Sequence, residues 1–269
     1  MDLGLKGRAA IVAGASRGLG RAIAEGLAAE GAWVTICGRS AEALASTSAA
    51  ISAADATVAA GGRVLALRAD VSRADDIDRI VAATLERWAR IDILVTNAGG
   101  PPSGPVSALT DGQWDAAVQT LLFSAVRFSR AVIPTMQRQR WGRILHVTSF
   151  TVKHPLPGLV LSNAVRLAVV GLAKTQALEL APHNILVNTI CPGSIATDRL
   201  VELTRQYAAR EGIAIDEATQ RLWIAQTPLG RLGEPKEFAD LAVFLASERA
   251  SFITGGTFQA DGGAVRGPF

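Results

Sequence analysis

Short, wholly apolar runs alternate along this chain with longer stretches whose apolar residues return every three to four positions. The first run is Arg8–Ala13, and the segment Arg21–Glu30 carries Ala22, Ile23, Leu27 and Ala28 on one helical face. Further runs at Gly31–Cys37, Arg63–Arg68, Asp92–Val95, Gly142–Ser149, Ile185–Ile190 and Gly255–Ala260 lack polar alternation, which is the pattern of strands buried on both faces. Between them, Ile77, Ile80, Val81, Thr84, Leu85 and Trp88 trace one helix. Trp114, Val118, Leu121, Leu122, Ala125, Phe128, Val132 and Ile133 trace a longer one over Thr110–Gln139. Leu167–Leu180 reads as an amphipathic helix, and Glu234-Pro235 opens the last one. Ala41–Ala60 is almost all Ala, Ser and Thr; it fits either a helix with a small-residue face or one with a frayed end, stopped at Gly61-Gly62. Leu200–Pro228 is polar and mixed, and larger than a simple connection.

Composition narrows the class. No Pro/Gly/Ser-rich linker divides the 269 residues, so residues 1–269 read as one domain. Apolar residues make up 49% and charged ones 19%, which suits a compact enzyme with much buried sheet and excludes a disordered chain. The net charge of +3 is slight; apart from Arg138, Arg140 and Arg143 the arginines are scattered, and that group reads as a solvated helix end rather than a nucleic-acid surface. Cys37 and Cys191 fall inside apparent strands, as small core residues of a reducing compartment do. With no signal-peptide pattern and no apolar run near the ~20 residues that span a bilayer, the expectation is a soluble cytoplasmic protein that binds neither membrane nor nucleic acid. His146, His154 and His183 stand apart, and no metal site is expected.

The candidate chemistry begins at Val12-Ala13-Gly14-Ala15-Ser16-Arg17-Gly18-Leu19-Gly20, a glycine-rich turn from strand into helix. In that context Gly14 allows the tight turn, Gly18 lets backbone approach a pyrophosphate, Gly20 lets helix and strand pack, and the helix amides face phosphates. The second strand is followed by Gly38-Arg39-Ser40. An acidic residue there would hold a ribose 2′-hydroxyl, whereas Arg39, with Arg17 as a second cation, favours a 2′-phosphate and hence NADP(H). The alternative is that Arg39 is only a solvated residue at a helix start.

The spacing Gly14-x-x-x-Gly18-x-Gly20 resembles the short-chain dehydrogenase/reductase family, closest to reductases of the 3-oxoacyl-acyl carrier protein type. Asp70-Val71-Ser72, Thr96-Asn97-Ala98-Gly99, Thr148-Ser149 and Cys191-Pro192-Gly193 with Thr197 follow in the same order. The resemblance implies an α/β fold: a single-domain Rossmann fold with a doubly wound, seven-stranded parallel sheet and helices on both faces. It also implies that Asp70 and Val71 reach the adenine, although Asp70 is equally good as a helix cap. Asn97, Ala98 and Gly99 would line the cofactor cleft, Asn97 mainly by tying strands together. Pro192, Gly193, Ile195 and Thr197 would embrace the nicotinamide. Pro101–Pro105 would form one wall of a substrate pocket, and a mobile lid at about residues 196–228 would cover it, with Leu203, Tyr207, Leu222, Trp223 and Ile224 as candidate pocket residues. By analogy the long apolar helices, Thr110–Gln139 and Glu234–Leu245, bury the surface of a dimer or tetramer.

At the catalytic positions the sequence departs from the family. Ser149 stands where the family keeps the serine that bonds the substrate carbonyl. Thirteen residues on, the family has a tyrosine and four beyond that a lysine; this chain has Ser162 and Arg166, and its only tyrosine is Tyr207. Leu121 stands where the family places an asparagine. An alcohol is a far weaker acid than a phenol, and a guanidinium does not give up its proton, although Arg166 could still hold ribose hydroxyls. A substitute acid can be sought at Lys153 or His154, which a proline-bounded loop could equally leave as plain solvated surface. Three readings follow: an NADP(H)-dependent oxidoreductase acting on a ketone or hydroxyl compound with a non-standard proton donor; an NADP(H)-binding protein with little turnover, serving as sensor or silent subunit; and an enone C=C reductase.

Overall fold

In a computed structural model, residues 2–267 are described; Met1, Pro268 and Phe269, which the expected domain 1–269 includes, lie outside them. The seven strands are β1 (Ala9–Val12), β2 (Trp33–Gly38), β3 (Arg63–Arg68), β4 (Ile93–Thr96), β5 (Gly142–Val147), β6 (Ile185–Pro192) and β7 (Thr257–Ala260). All pair in parallel, in the order β3-β2-β1-β4-β5-β6-β7. The absence of alternation along the runs has a direct cause in the packing. Ala10 and Val12 join a core on one face, with α1 (Gly18–Ala29) and α10 (Pro235–Ala246). Ile11 and Ala13 join a second core on the other, with α4 (Ala74–Trp88), α6 (Ser124–Gln139) and α7 (Val160–Leu180). Helices on both faces leave no solvent side for polar residues, and burying a side chain such as Phe128 completely is worth about 2 kcal/mol.

Three elements differ from their expected form. The Ala/Ser/Thr stretch is two helices, α2 (Ala41–Ala53) and α3 (Asp55–Ala60), divided at Ala54 in extended conformation. The bend brings Gly62 against α1, where a Cβ would lie 2.3 Å from the Ala28 carbonyl oxygen, and it buries Thr57. Thr110–Gln139 is α5 (Asp111–Ala117), capped by the reciprocal bonds of Thr110 and Gln113, then a π turn over Val118–Phe123, then α6. This stretch is long and apolar enough to cross a membrane by length and composition, contrary to the expectation that none would be; here its Leu121, Phe128, Val132 and Met136 are buried within the protein. Segment 196–228 is structured as well, as α8 (Asp198–Glu211), α9 (Ile215–Thr219) and a π turn at Gln220–Ile224.

Candidate active site

The carboxyl ends of β1, β4, β5 and β6 meet at one edge of the sheet, where the strand order reverses between β1 and β4, the usual ligand crevice of open α/β sheets. There the glycine turn has the backbone its residues predict. Gly14 and Gly18 sit at φ +59° and +58°, which side-chain-bearing residues rarely adopt. A Cβ on Gly20 would stand 2.4 Å from the Gly14 carbonyl oxygen, so only glycine lets α1 start this close to β1. Asn97 Nδ2 donates to the carbonyls of Ala13 and Gly14 at 3.3 and 3.2 Å, tying β4 to the turn. Ser16 and Leu19 are half-buried within it, and Arg17 is exposed, its guanidinium 3.4 Å from Asp198 at the start of α8.

Arg39 and Ser40 are exposed just beyond β2. Ser40 caps α2, its Oγ accepting from the Ala43 amide at 3.2 Å. The Arg39 guanidinium makes no hydrogen bond or ion pair among the described residues, and a Cβ on Gly38 would stand 3.1 Å from Ser16 Oγ, so glycine and serine close the turn around this corner. Asp70 does not cap α4. Its Oδ1 accepts from the amide and hydroxyl of Ser72 in a local turn, while Asp76 reaches back to the Asp70 amide, which with Arg79 holds the Asp76 carboxyl below its usual range. The cap position falls to Arg73, whose side chain caps nothing, because Asp70 lies three residues too early. Val71 beside it is half-buried.

On the other side, Gly193 packs so closely on β7 that a Cβ would be 2.5 Å from Asp261 Cα. That packing aims Pro192–Thr197 back across the crevice. Ile195 is buried, and the Thr197 methyl comes within 3.8 Å of where a Cβ on Gly18 would be. Two residues beyond β5, Ser149 is extended, with its Oγ accepting from the Thr151 amide at 3.2 Å. Ser162 and Arg166 occupy the first two turns of α7, with Ser162 half-buried and without a side-chain hydrogen bond among the described residues. Lys153 is half-buried and has neither hydrogen bond nor ion pair among the described residues, while His154 is exposed.

Arg166 is 8% exposed and points back into the sheet edge. Its Nη1 donates to the carbonyls of Val147 and Thr148 at 3.2 and 3.1 Å, and its Nη2 to that of Ala98 at 3.4 Å. Of five N–H groups, three are spent on backbone, which leaves Nε and one Nη2 proton for anything else. Burial, then the nearby Arg199, brings its pKa down to about 10, so it stays charged at neutral pH. A cavity of about 10 Å³, room for one water, lies behind it among Thr96, Leu121, Ser124 and Thr148. Below the site His146 bridges Thr96 Oγ1 at 2.8 Å and Gln176 Oε1 at 3.0 Å; burial pushes its pKa down to about 4, so it is neutral. The Cys191 thiol lies 3.2 Å from Thr148 Oγ1 and is pushed up by burial.

Residues 14–265 match the family model described as enoyl-(acyl carrier protein) reductase. The 3-oxoacyl-[acyl-carrier-protein] reductase of Synechocystis sp. is 35% identical over 262 residues, 97% of this chain and 98% of that one. The chain belongs to the short-chain dehydrogenase/reductase family. Among solved members, L-sorbose reductase from Gluconobacter frateurii, complexed with NADPH and L-sorbose, superposes with a TM-score of 0.92 at 31% identity, covering 99% of this chain and 100% of that one. YwfH, an NADPH-dependent reductase involved in bacilysin biosynthesis, gives 0.90 at 28% identity over 97% and 99%. The seven-stranded parallel sheet flanked by helices is the fold of this reductase family.

Sequence reading did not find Arg199. Its Nη2 donates to the Pro101 carbonyl at 2.9 Å and its Nη1 meets Glu202 at 3.1 Å, which ties α8 to the proline loop. Ser103 and Gln206 make a second tie at 3.3 Å. Trp223, expected in the pocket, instead donates to buried Thr204 at 2.8 Å and forms the small core of segment 196–228; Tyr207 is half-buried under the Arg210 guanidinium. A signal for Arg199 exists only in three dimensions, since nothing in an isolated arginine near a helix start marks it.

Proposed function

We propose that this short-chain family member is an NADP(H)-dependent oxidoreductase acting on a ketone or alcohol, with a proton donor other than tyrosine, working in the cytoplasm as a single-domain subunit of a dimer or tetramer. The observation that carries the reading is the crevice itself. Gly14, Ser16, Arg17, Gly18, Leu19 and Gly20 present backbone and helix amides where a pyrophosphate fits, and Arg39 is free beyond β2 with no carboxylate to repel a 2′-phosphate. When bound, NADP(H) supplies hydride. Ser40, Asp70, Val71, Asn97, Ala98 and Gly99 would line one side of it, and Pro192, Gly193, Ile195 and Thr197 the other.

The chain's own groups then divide the remaining work. Ser149 Oγ orients the substrate carbonyl, and the fixed Arg166 charge stabilises negative charge that develops there. Arg166 is committed to the Val147, Thr148 and Ala98 carbonyls, which leaves it little capacity to hold ribose hydroxyls as well. Among the described residues Ser162 Oγ has no base in contact with it, so it is a poor acid, whereas the Lys153 ammonium, unpaired among them, can give a proton to an alkoxide directly. The test is NADPH consumption, followed by absorbance, over ketones and enones, with the double variant Ser162→Tyr/Arg166→Lys as control. Lys153→Ala lowers turnover by ~10²-fold without changing NADPH affinity, and Ser162→Ala costs less. The reverse order makes Ser162 the donor. Activity only in the double variant makes the parent a binding protein.

One observation favours reduction of an activated C=C bond as a second reading. With no phenol among the catalytic positions and a buried cation present, the site suits an enolate, which is less basic than an alkoxide and takes its proton from water. The enoyl-reductase family model agrees with it.

A further inference from the structure

The substrate side of the crevice holds more positive charge than the chain itself answers. Arg199, at the start of α8, lies over Gly100, where a Cβ would be 2.8 Å from its Nε and 3.2 Å from its Cζ. Its two bonds, to Pro101 O and Glu202, anchor the guanidinium and leave three of its five N–H groups without a partner among the described residues. At the other end of the same four-residue stretch, Arg166 holds the Ala98 carbonyl. Two guanidinium groups therefore sit on carbonyls three residues apart in the loop that leaves β4. Lys153 closes the turn that follows Ser149.

The carboxylates of this region are few. Glu202 pairs with Arg199 and also accepts from Gln206 at 3.3 Å; Asp198 pairs with Arg17. No carboxylate pairs with Arg166 or Lys153 among the described residues. Two guanidinium groups against one carboxylate leave a net positive charge on this side of the crevice, with Arg199 a third exposed and open to a ligand. A neutral ketone would leave that charge unanswered. A carboxylate would answer it and match the planar fork of an arginine with two parallel hydrogen bonds.

We propose that this crevice binds substrates carrying a carboxylate next to the reducible group, that is, oxo or hydroxy acids, and that Arg199 is the residue that holds the carboxylate. The inference rests on the oxidoreductase reading for its substrate class, but the binding itself needs no turnover. Because the carbonyl end points to Ser149 and the carboxylate end to Arg199, charge sets the orientation of the substrate in the crevice. The contact also joins the ligand to α8, which Arg199 already ties to the proline loop.

Calorimetric titration of the protein saturated with NADP+ compares benzoylformate with its methyl ester, and pyruvate with methyl pyruvate. The oxidised cofactor prevents reduction, so only binding is read. Each acid binds at least about tenfold tighter than its ester, and the difference shrinks as salt rises from about 50 to about 500 mM. Arg199→Gln abolishes the difference while NADP+ affinity stays at the parent value, and Arg199→Lys retains part of it. The proposal is overturned if acid and ester bind alike, if neither acid binds while NADP+ does, or if Arg199→Gln keeps the preference. It is also overturned if the preference exists only without NADP+, because the cofactor's phosphates then answer these cations. Acid binding with no NADPH consumption on any carbonyl compound would leave the carboxylate site standing and remove the oxidoreductase reading instead.

Discussion

Replacing Arg166 by methionine removes three hydrogen bonds, at 3.1, 3.2 and 3.4 Å, from the carboxyl edge of the sheet and keeps most of the side chain's volume. Each buried carbonyl left without its donor costs about 1–2 kcal/mol, since these bonds are long. Against that loss stands the penalty the buried charge already carries: a pKa brought down to about 10 corresponds to roughly 3 kcal/mol recovered when the charge is deleted. The balance runs from near zero to a net loss of about 3 kcal/mol, a fall in Tm of up to roughly 8 °C for a chain of this size. Arg166→Lys keeps the charge and at least one carbonyl bond, so it loses about 1 kcal/mol or less. Urea unfolding at pH 7.5, followed by circular dichroism, measures all three proteins. If Arg166→Met is more stable than the parent, the desolvation of the guanidinium outweighs its carbonyl bonds, and the idea that it staples α7 to β4 and β5 is wrong.

Three further outcomes are expected. Arg39→Ala raises the Kd for NADPH at least about tenfold and leaves that for NADH unchanged, and equal parental affinities for the two cofactors would remove the NADP(H) assignment. His146 has a folded pKa of about 4, below its unfolded value of about 6.5, so the unfolded chain binds the extra proton between those pH values. Stability is therefore full above pH 6.5 and falls by up to about 3 kcal/mol as pH drops toward 4, and His146→Gln flattens that part of a urea-midpoint profile. Light scattering at micromolar concentration reports a dimer or tetramer, and Leu178→Glu, on the exposed face of α7 where Leu178 is 79% and Leu167 52% exposed, shifts it toward monomer; a parental monomer refutes the assembly.

The strand runs, the glycine turn and the helix faces were legible because each is a local consequence of backbone geometry. A strand buried on both faces has no position for a polar residue, and a turn at φ +59° followed by a helix whose Gly20 would put a Cβ 2.4 Å from the Gly14 carbonyl oxygen admits only glycine. The order of the glycine turn, Asn97, Ser149 and Pro192 along the chain was legible for the same reason, since each stands at or just beyond the end of a strand. Where the side chains of those residues go was not. The motif spacing placed Arg166 one helical turn from Ser162, but only the close approach of the β4 and β5 carboxyl ends turns its guanidinium onto three backbone carbonyls. Asp70 could be named as a cap from its neighbourhood, yet the exact start of α4 decided that it closes a local turn instead. Arg199 acquires meaning only when α8 folds back over Gly100, 99 residues away in sequence, and Trp223 meets its partner, the buried Thr204 hydroxyl, only when α8 and the π turn pack together. Backbone preference is written in neighbours along the chain; the partner of a long polar side chain is chosen by whatever the packed sheet and helices bring within its reach.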